Sequence, residues 1–103
     1  MWNLPGGRLV RGETPRDGLR REVREETGLE VEVGRLLVVD VRGRAVAFVF
    51  ECSPAGGILK PGAGEIRALR WLPAADIERL SPRVEMTLRT ALLAIEDGPR
   101  HLL

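Results

Sequence analysis

The chain has 103 residues, which is enough for one domain with a hydrophobic core but near the lower limit for an enzyme. Its 16 basic and 15 acidic residues give a net charge of +1, so composition gives no reason to expect a nucleic-acid or membrane partner. Cys52 is the only cysteine, which excludes an intrachain disulfide, and no apolar run approaches the roughly 18 residues that span a bilayer. We therefore expect a soluble, cytoplasmic protein.

The first predicted element is a helix over residues 15–27, which follows a tight loop at residues 2–7. Thr14 suits the N-cap position, Pro15 the first helical position and Gly28 the residue after the last turn. The apolar stripe of this segment is thin. Packing and propensity alone therefore do not explain why the segment is helical.

Strands are predicted for the middle of the chain. Residues 30–41 are rich in valine and leucine and predict a strand interrupted near Gly34. Residues 45–52 form an almost continuous apolar run, which predicts a strand buried on both faces with Phe48 and Phe50 in the core. Serine, proline and glycine at residues 53–57 are expected to end it.

The last part of the chain is predicted to contain one strand and two helices. A flexible loop at residues 61–64 leads to a strand over residues 65–72. A short helix over residues 74–80 and a longer one over residues 82–95 follow, the second capped by Ser81. This mixture of strands and helices predicts an α/β fold.

Three glutamates of the first helix indicate a metal-binding face. Glu22, Glu25 and Glu26 are spaced i, i+3, i+4, so their carboxylates lie within an arc of roughly 100°. Like charges at this spacing destabilise a helix by about 0.2–0.5 kcal/mol per pair. A hard divalent cation such as Mg²⁺ takes oxygen ligands and would reverse the sign of this effect. The alternative is a merely solvated acidic surface.

The wider context of these glutamates favours the metal. From Gly7 to Leu29 the sequence follows the pattern G-x5-E-x7-R-E-U-x-E-E-x-G-U, in which U is apolar, and every defined position is present. This stretch resembles the Nudix box, the signature of Mg²⁺-dependent hydrolases that cut a diphosphate linked to another group. The resemblance implies a Nudix-like α/β/α sandwich with a mixed central sheet. We expect a single Nudix domain over residues 1–103, N-terminally shortened, because few residues precede Gly7.

The resemblance also implies roles for individual residues. Glu22, Glu25 and Glu26 would be metal ligands, joined by the carbonyl of Gly6, with Mg²⁺ as the metal and Mn²⁺ as an alternative. Glu25 is the first choice of general base, and Glu22 belongs to the same catalytic group. Glu65 begins a segment similar to E-I-x-x-x-x-W in relatives, where the acidic residue can reach the metals or act as the base. An exposed glutamate at a strand start is the alternative.

Arg21 and Glu13 are predicted to support this site rather than to react. Arg21 can pair with Glu25 at i,i+4. The family resemblance additionally implies an ion pair of Arg21 with Glu13, which would fix the preceding loop to the helix. We interpret both as orienting contacts for the bound metal and substrate.

Substrate and assembly are less constrained. The chain has no tyrosine and only four aromatic residues, so no base-stacking pocket is evident, and a MutT-like nucleotide pyrophosphohydrolase is the general expectation. The alternatives are a catalytically impaired truncated fragment and a nucleotide-binding regulatory module on the same fold. Because a shortened sheet leaves strand edges open, we expect a homodimer.

Overall fold

A computed structural model describes residues 4–60, 62, 69, 71, 74–97 and 100–102. The elements are helix α1 (Pro15–Thr27), strands β1 (Leu29–Arg42) and β2 (Ala45–Gly57), a 3-10 helix (Ala74–Arg79), helix α2 (Pro82–Asp97) and strand β3 (Arg100–Leu102). The three strands form one sheet in the order β2-β1-β3, in which neighbours are hydrogen-bonded. Strands β1 and β3 are parallel, with Val38 beside Arg100.

Helix α1 has the bounds predicted from its capping residues, whereas the strands differ from the prediction. Strand β1 continues through Gly34, and Arg16 donates hydrogen bonds to the carbonyl oxygens of Val33 at 3.0 Å and Gly34 at 2.7 Å. Strand β2 runs on to Gly57, five residues beyond the predicted end at position 52. The side chain of Arg16 thus binds the backbone of β1 at Gly34, where the sequence predicted an interruption of the strand.

The prediction that β2 is buried on both faces was wrong. Val46 is 51% exposed and Phe48 is 42% exposed, so Phe48 is not a core residue. A run of apolar residues reports that a segment suits the pleated strand conformation, and it does not by itself show that both faces are covered.

The C-terminal part contains one element that was not expected. The segment predicted as a short helix is a 3-10 helix, α2 ends two residues later than predicted, and β3 was missed. The strand predicted over residues 65–72 lies outside the described residues except for positions 69 and 71. Across the described part of the chain, neither helix has the length and apolar character needed to cross a bilayer.

The chain divides into two compact units. The α2 unit comprises residues 1–4, 35–51 and 72–103, and the α1 unit comprises residues 5–34 and 52–71. Strands β1 and β2 each contribute residues to both units. The prediction of a single domain is therefore neither confirmed nor contradicted by this division.

The α2 unit is built around a small apolar cluster and one buried carboxylate. Leu37, Val38 and Ala91 form the cluster, and Val49 and Leu88 pack against it. Asp40 lies on β1, as do Leu37 and Val38, and has no exposed surface. Arg42 and Arg83 both donate hydrogen bonds to its carboxylate, so the buried charge is compensated.

Candidate active site

Helix α1 is the platform for the candidate site, and its two ends are defined by local contacts. The hydroxyl oxygen of Thr14 accepts a hydrogen bond from the backbone N–H of Asp17 at 3.1 Å. Gly28 ends the helix with a φ of 75°, and its N–H donates to the carbonyl of Arg24. These caps fix the helical register, and the register places Glu22, Glu25 and Glu26 in adjacent turns.

Glu22 packs against the loop that precedes the helix. A Cβ atom placed on Gly7 would lie 2.6 Å from the carboxyl carbon of Glu22, which is closer than any real contact. The backbone of Gly7 therefore approaches the carboxylate directly, and a side chain at this position would require the Glu22 carboxylate to move aside. The Glu22 side chain is 18% exposed, so one side of its carboxylate is closed by the loop.

Glu26 is held by the same loop. The backbone N–H of Gly6 donates to Oε2 of Glu26 at 3.1 Å. Burial raises the pKa of Glu26, and the charges of Glu22 and Glu25 and a hydrogen-bond contact with Glu22 raise it further, although the Gly6 N–H opposes the shift. The carboxyl groups of Glu22 and Glu26 are thus crowded together in an environment that disfavours a second negative charge.

Arg21 contacts three carboxylates. Its Nε donates to Glu13 Oε2 at 2.8 Å. Its Nη1 lies 2.9 Å from Glu22 Oε1 and donates to Glu25 Oε2 at 3.1 Å. Both ion pairs expected of Arg21, with Glu13 and with Glu25, are present, and a third with Glu22 accompanies them. The contact with Glu13 raises the pKa of Arg21, so its positive charge is permanent.

Glu13 connects the arginine to the loop backbone. Its Oε1 accepts a hydrogen bond from the N–H of Val10 at 2.9 Å, and Arg21 Nη2 donates to the carbonyl of Arg8 at 3.1 Å. The hydrogen bond from Arg21, followed by that from Val10, lowers the pKa of Glu13. Arg21 and Glu13 therefore tie residues 8–13 to the middle of α1. Sequence reasoning did not anticipate the backbone contacts at Arg8 and Val10.

The donor set of this site consists of carboxylate oxygens, which are the ligands that Mg²⁺ and Mn²⁺ prefer. Within the described residues, no three histidine, cysteine or acidic side chains converge closely enough to form a metal cage by themselves. Arg21 instead neutralises Glu22 and Glu25. Burial and the neighbouring carboxylates of Glu22 and Glu25 raise the pKa of Glu26, so a nearby cation would favour its charged form. The residues present thus fit a hard divalent ion that is completed by water and substrate oxygens.

Glu65, which the sequence singled out, lies outside the described residues. The predicted carbonyl contribution of Gly6 stays a prediction, because Gly6 contacts Glu26 through its N–H.

The structure also shows a contact that the sequence did not suggest. Gly62 lies in the predicted flexible loop and Lys60 lies beside it. Both donate backbone hydrogen bonds to the end of α1. Their glycine-rich surroundings indicated flexibility, and nothing in that pattern pointed to a partner helix.

The chain is similar to known proteins in sequence. Residues 1–92 match the model of the NUDIX domain. A MutT-like protein of Streptomyces ambofaciens is 43% identical over 95 residues, which are 88% of this chain and 60% of that protein. The 8-oxo-dGDP phosphatase NUDT18 of Homo sapiens is 53% identical over 80 residues, which are 74% of this chain and 25% of that protein. The chain therefore spans less than two thirds of the length of these relatives.

Solved structures support the same fold. An ADP-ribose pyrophosphatase from Streptococcus suis superimposes with a TM-score of 0.77 at 25% identity, covering 99% of this chain and 81% of that one. A UDP-X diphosphatase gives a TM-score of 0.74 at 23% identity, covering 99% of this chain and 55% of that one. The α/β fold class and the family predicted from the sequence are both confirmed.

Proposed function

The chain belongs to the Nudix family, and from this premise we propose that it is a Mg²⁺-dependent hydrolase that cuts a phosphoanhydride bond in a nucleoside-diphosphate-linked substrate. The observation that carries the proposal is the crowding of Glu22, Glu25 and Glu26 on one helix beside Arg21. Such repulsion is a cost in a merely structural helix. It has a use where a cation and a polyphosphate bind.

Glu22 and Glu26 are the proposed metal ligands, with the Gly6 carbonyl and a further acidic residue, Glu65, completing the protein's contribution. A bound Mg²⁺ would neutralise negative charge on the diphosphate and favour deprotonation of a water molecule. The loop residues Gly6 and Gly7 hold Glu26 and Glu22 through backbone contacts. The two carboxylates are therefore positioned before any ligand arrives, which lowers the reorganisation required for binding.

Glu25 is the proposed general base. Its side chain is 58% exposed, whereas Glu22 is closed in by Gly7 and Glu26 is held by Gly6. An exposed carboxylate whose direction is fixed by Arg21 can receive the proton of an attacking water. The water oxygen forms a bond to phosphorus, the phosphoanhydride bond breaks, and its electron pair leaves with the departing phosphate.

The proposed substrates are nucleotides of the MutT-like class. Support comes from the relatives, which include a MutT-like protein and an 8-oxo-dGDP phosphatase. ADP-ribose is a second candidate because the structural likeness includes an ADP-ribose pyrophosphatase. Both classes share the diphosphate that the glutamate helix is suited to handle, and they differ in the group attached to it.

A substrate panel tests this proposal. Canonical and oxidised nucleoside di- and triphosphates, ADP-ribose, nucleotide sugars and dinucleoside polyphosphates are incubated with the protein, and the products are separated and quantified with Mg²⁺ and with excess chelator. We expect Mg²⁺-dependent turnover of at least one nucleoside diphosphate derivative. Binding without turnover of any compound would reject the enzyme and indicate a nucleotide-binding module or an impaired fragment.

We also propose that the protein is a cytoplasmic homodimer. Val41, Val46 and Phe48 lie around the β1–β2 turn and are 41–51% exposed, so apolar surface is available for a second copy. Cys52 is exposed and forms no disulfide, which suits a reducing compartment. Sedimentation equilibrium should give twice the monomer mass, and the Phe48→Glu variant should give the mass of a monomer. A stable monomer at micromolar concentration would reject the dimer.

A further inference from the structure

The C-terminal end of α1 is covered by a chain segment that begins at Gly57, the last residue of β2. We define the docking segment as residues 57–60 and 62. Within it, the N–H of Lys60 donates to the carbonyl of Thr27 at 2.9 Å, and the N–H of Gly62 donates to the carbonyl of Glu26 at 3.0 Å. The last carbonyls of a helix have no partner within the helix. The docking segment supplies hydrogen-bond donors to two of these carbonyls.

Three glycines allow this segment to lie against the helix end. A Cβ on Gly62 would be 1.9 Å from the carbonyl oxygen of Glu25, and one on Gly28 would be 2.3 Å from the carbonyl oxygen of Ile58. One on Gly57 would be 2.3 Å from the carbonyl oxygen of Gly28. All three obstacles are backbone atoms, which cannot move aside as a flexible side chain can. The contact is therefore a backbone-to-backbone packing that any side chain would open.

Gly62 differs from the other two glycines in one respect. Gly28 and Gly57 have φ values of 75° and 82°, a conformation that favours glycine in any surroundings. Gly62 is not among the described glycines with positive φ, so an L-residue could adopt its backbone conformation. Its requirement for glycine comes only from closeness to Glu25 and Glu26. These are two of the three carboxylates of the candidate active site.

We propose that Gly62 is a positioning residue for the metal-binding carboxylates, acting by holding the last turn of α1 closed. The terminal turn of a helix frays readily. Fraying at Glu25 and Glu26 would separate them from Glu22. The hydrogen bond from Gly62 to the Glu26 carbonyl opposes this separation without touching the metal or substrate. This inference rests on the proposed function and deepens it, because it names a segment outside the Nudix box that the site requires.

The test compares Gly62→Ala with Gly56→Ala. A Cβ on Gly56 would be 3.5 Å from the nearest atom, an ordinary contact, and Gly56 has no positive φ, so this variant controls for adding a methyl group nearby. Mn²⁺ affinity is measured by electron paramagnetic resonance, alongside kcat, KM and the melting temperature. We expect Gly62→Ala to weaken Mn²⁺ binding and lower kcat by about tenfold or more, with KM much less affected. Gly56→Ala should stay within about twofold of the parent protein.

Hydrogen exchange of the unmodified protein provides a second readout that does not depend on a variant folding. The amides of Lys60 and Gly62 should be protected to a similar degree as the amide of Gly28, which bonds within α1. If the amide hydrogens of Lys60 and Gly62 both exchange as fast as in an unfolded chain, the proposal is overturned. A Gly62→Ala protein that melts earlier but binds Mn²⁺ and turns over substrate normally would also overturn it, because that result assigns Gly62 a structural role only.

These outcomes separate the inference from the proposed function. If the unmodified protein hydrolyses no substrate yet shows protected amides and Mn²⁺ binding that Gly62→Ala weakens, the hydrolase proposal fails and the positioning role stands. If the protein is active and Gly62→Ala behaves like Gly56→Ala, the positioning role fails alone. If the unmodified protein binds no Mn²⁺, the positioning role is overturned as well.

Discussion

At the scale of single residues, Glu25 is distinguished from its neighbours by its exposure. It contacts Arg21 and is 58% exposed, while Glu22 and Glu26 are fixed by the glycine loop. Glu25→Gln keeps the shape of the side chain and removes its ability to accept a proton. We expect kcat to fall by about 10²–10⁴-fold, the range typical of a general base.

The control for this substitution is Glu32→Gln. Glu32 is an exposed glutamate of β1, so the same change of charge should leave kcat unaltered. Steady-state kinetics at saturating Mg²⁺ measure both variants. A Glu25→Gln protein with normal kcat would show that another group takes the proton.

Arg21 has a geometric role that a lysine cannot fill. Its planar guanidinium reaches both oxygens of Glu13, at 2.8 Å through Nε and 3.1 Å through Nη2, and also the carbonyl of Arg8. Lysine keeps the charge but provides a single donor centre. We expect Arg21→Lys to lower kcat/KM by roughly 10–100-fold, as is usual for residues that orient metal ligands.

Two further variants separate orientation from general charge effects. Glu13→Gln should cause a similar loss, and the double variant should be little worse than either single one, because both remove the same clamp. Arg20→Lys changes an arginine whose pair with Asp17 is exposed, and it should have no effect on kcat/KM. Additive losses for Arg21 and Glu13 would contradict a shared role.

At the scale of elements, Asp40 joins strand β1 to helix α2. Burial raises its pKa, but the hydrogen bonds and charges of Arg42 and Arg83 lower it by more, so the pKa of Asp40 lies below the ordinary 3.8. Asp40→Asn leaves two arginines without their anion. Because both are about half exposed and can be hydrated, we expect the free energy of unfolding at neutral pH to fall by only about 1–3 kcal/mol.

The pH dependence of stability gives the sign of this contribution. A carboxyl with a lower pKa in the folded state stabilises the fold fully above its unfolded pKa of about 3.9, and the contribution is lost as pH falls through the folded value. Urea unfolding below about pH 4 should therefore show a shallower acid loss in Asp40→Asn than in the parent protein. Glu51→Gln, which breaks an exposed pair with Arg35, should change stability by about 0–1 kcal/mol. An unchanged acid limb in Asp40→Asn would contradict the assignment.

At the scale of the whole molecule, a divalent metal should stabilise the folded state. A ligand present at 100 times its dissociation constant stabilises by about 2.7 kcal/mol if it binds only the folded protein. Mg²⁺ should therefore raise the melting temperature in calorimetry. Glu22→Gln with Glu26→Gln should abolish the rise, because the two crowded carboxylates are the proposed ligands. In the absence of metal the same double variant should melt higher, since it removes repulsion.

The contrast between α1 and the rest of the molecule shows what could be predicted from the sequence. Helix α1 was predicted with the correct bounds because Thr14, Pro15 and Gly28 act locally. The pairing of Arg21 with Glu25 follows from helical spacing alone, and its pairing with Glu13 was implied by the family resemblance. These features depend on residues close together in the chain, which is where patterns are most informative.

Contacts between distant residues were not predictable in the same way. Asp40 stands among valines in a strand pattern, and its partner Arg83 is 43 residues away, so neither residue showed that it would be buried or paired. Gly62 looked like part of a flexible loop, because no local pattern reports an approach to a helix end 36 residues earlier in the chain. The apolar run of β2 was over-interpreted for a related reason, since exposure depends on which elements cover a strand.

The most direct test of the central claim is to follow the oxygen atom of the attacking water into the products. The best substrate of the panel is turned over in water enriched in the heavy oxygen isotope, with Mg²⁺ or with excess chelator, and the products are examined by mass spectrometry. Attack of water at phosphorus predicts that one heavy oxygen enters a phosphate product, and only when Mg²⁺ is present. Heavy oxygen bonded to carbon, two phosphate-bearing products that both lack heavy oxygen, or equal turnover with chelator would each contradict a metal-dependent substitution at phosphorus.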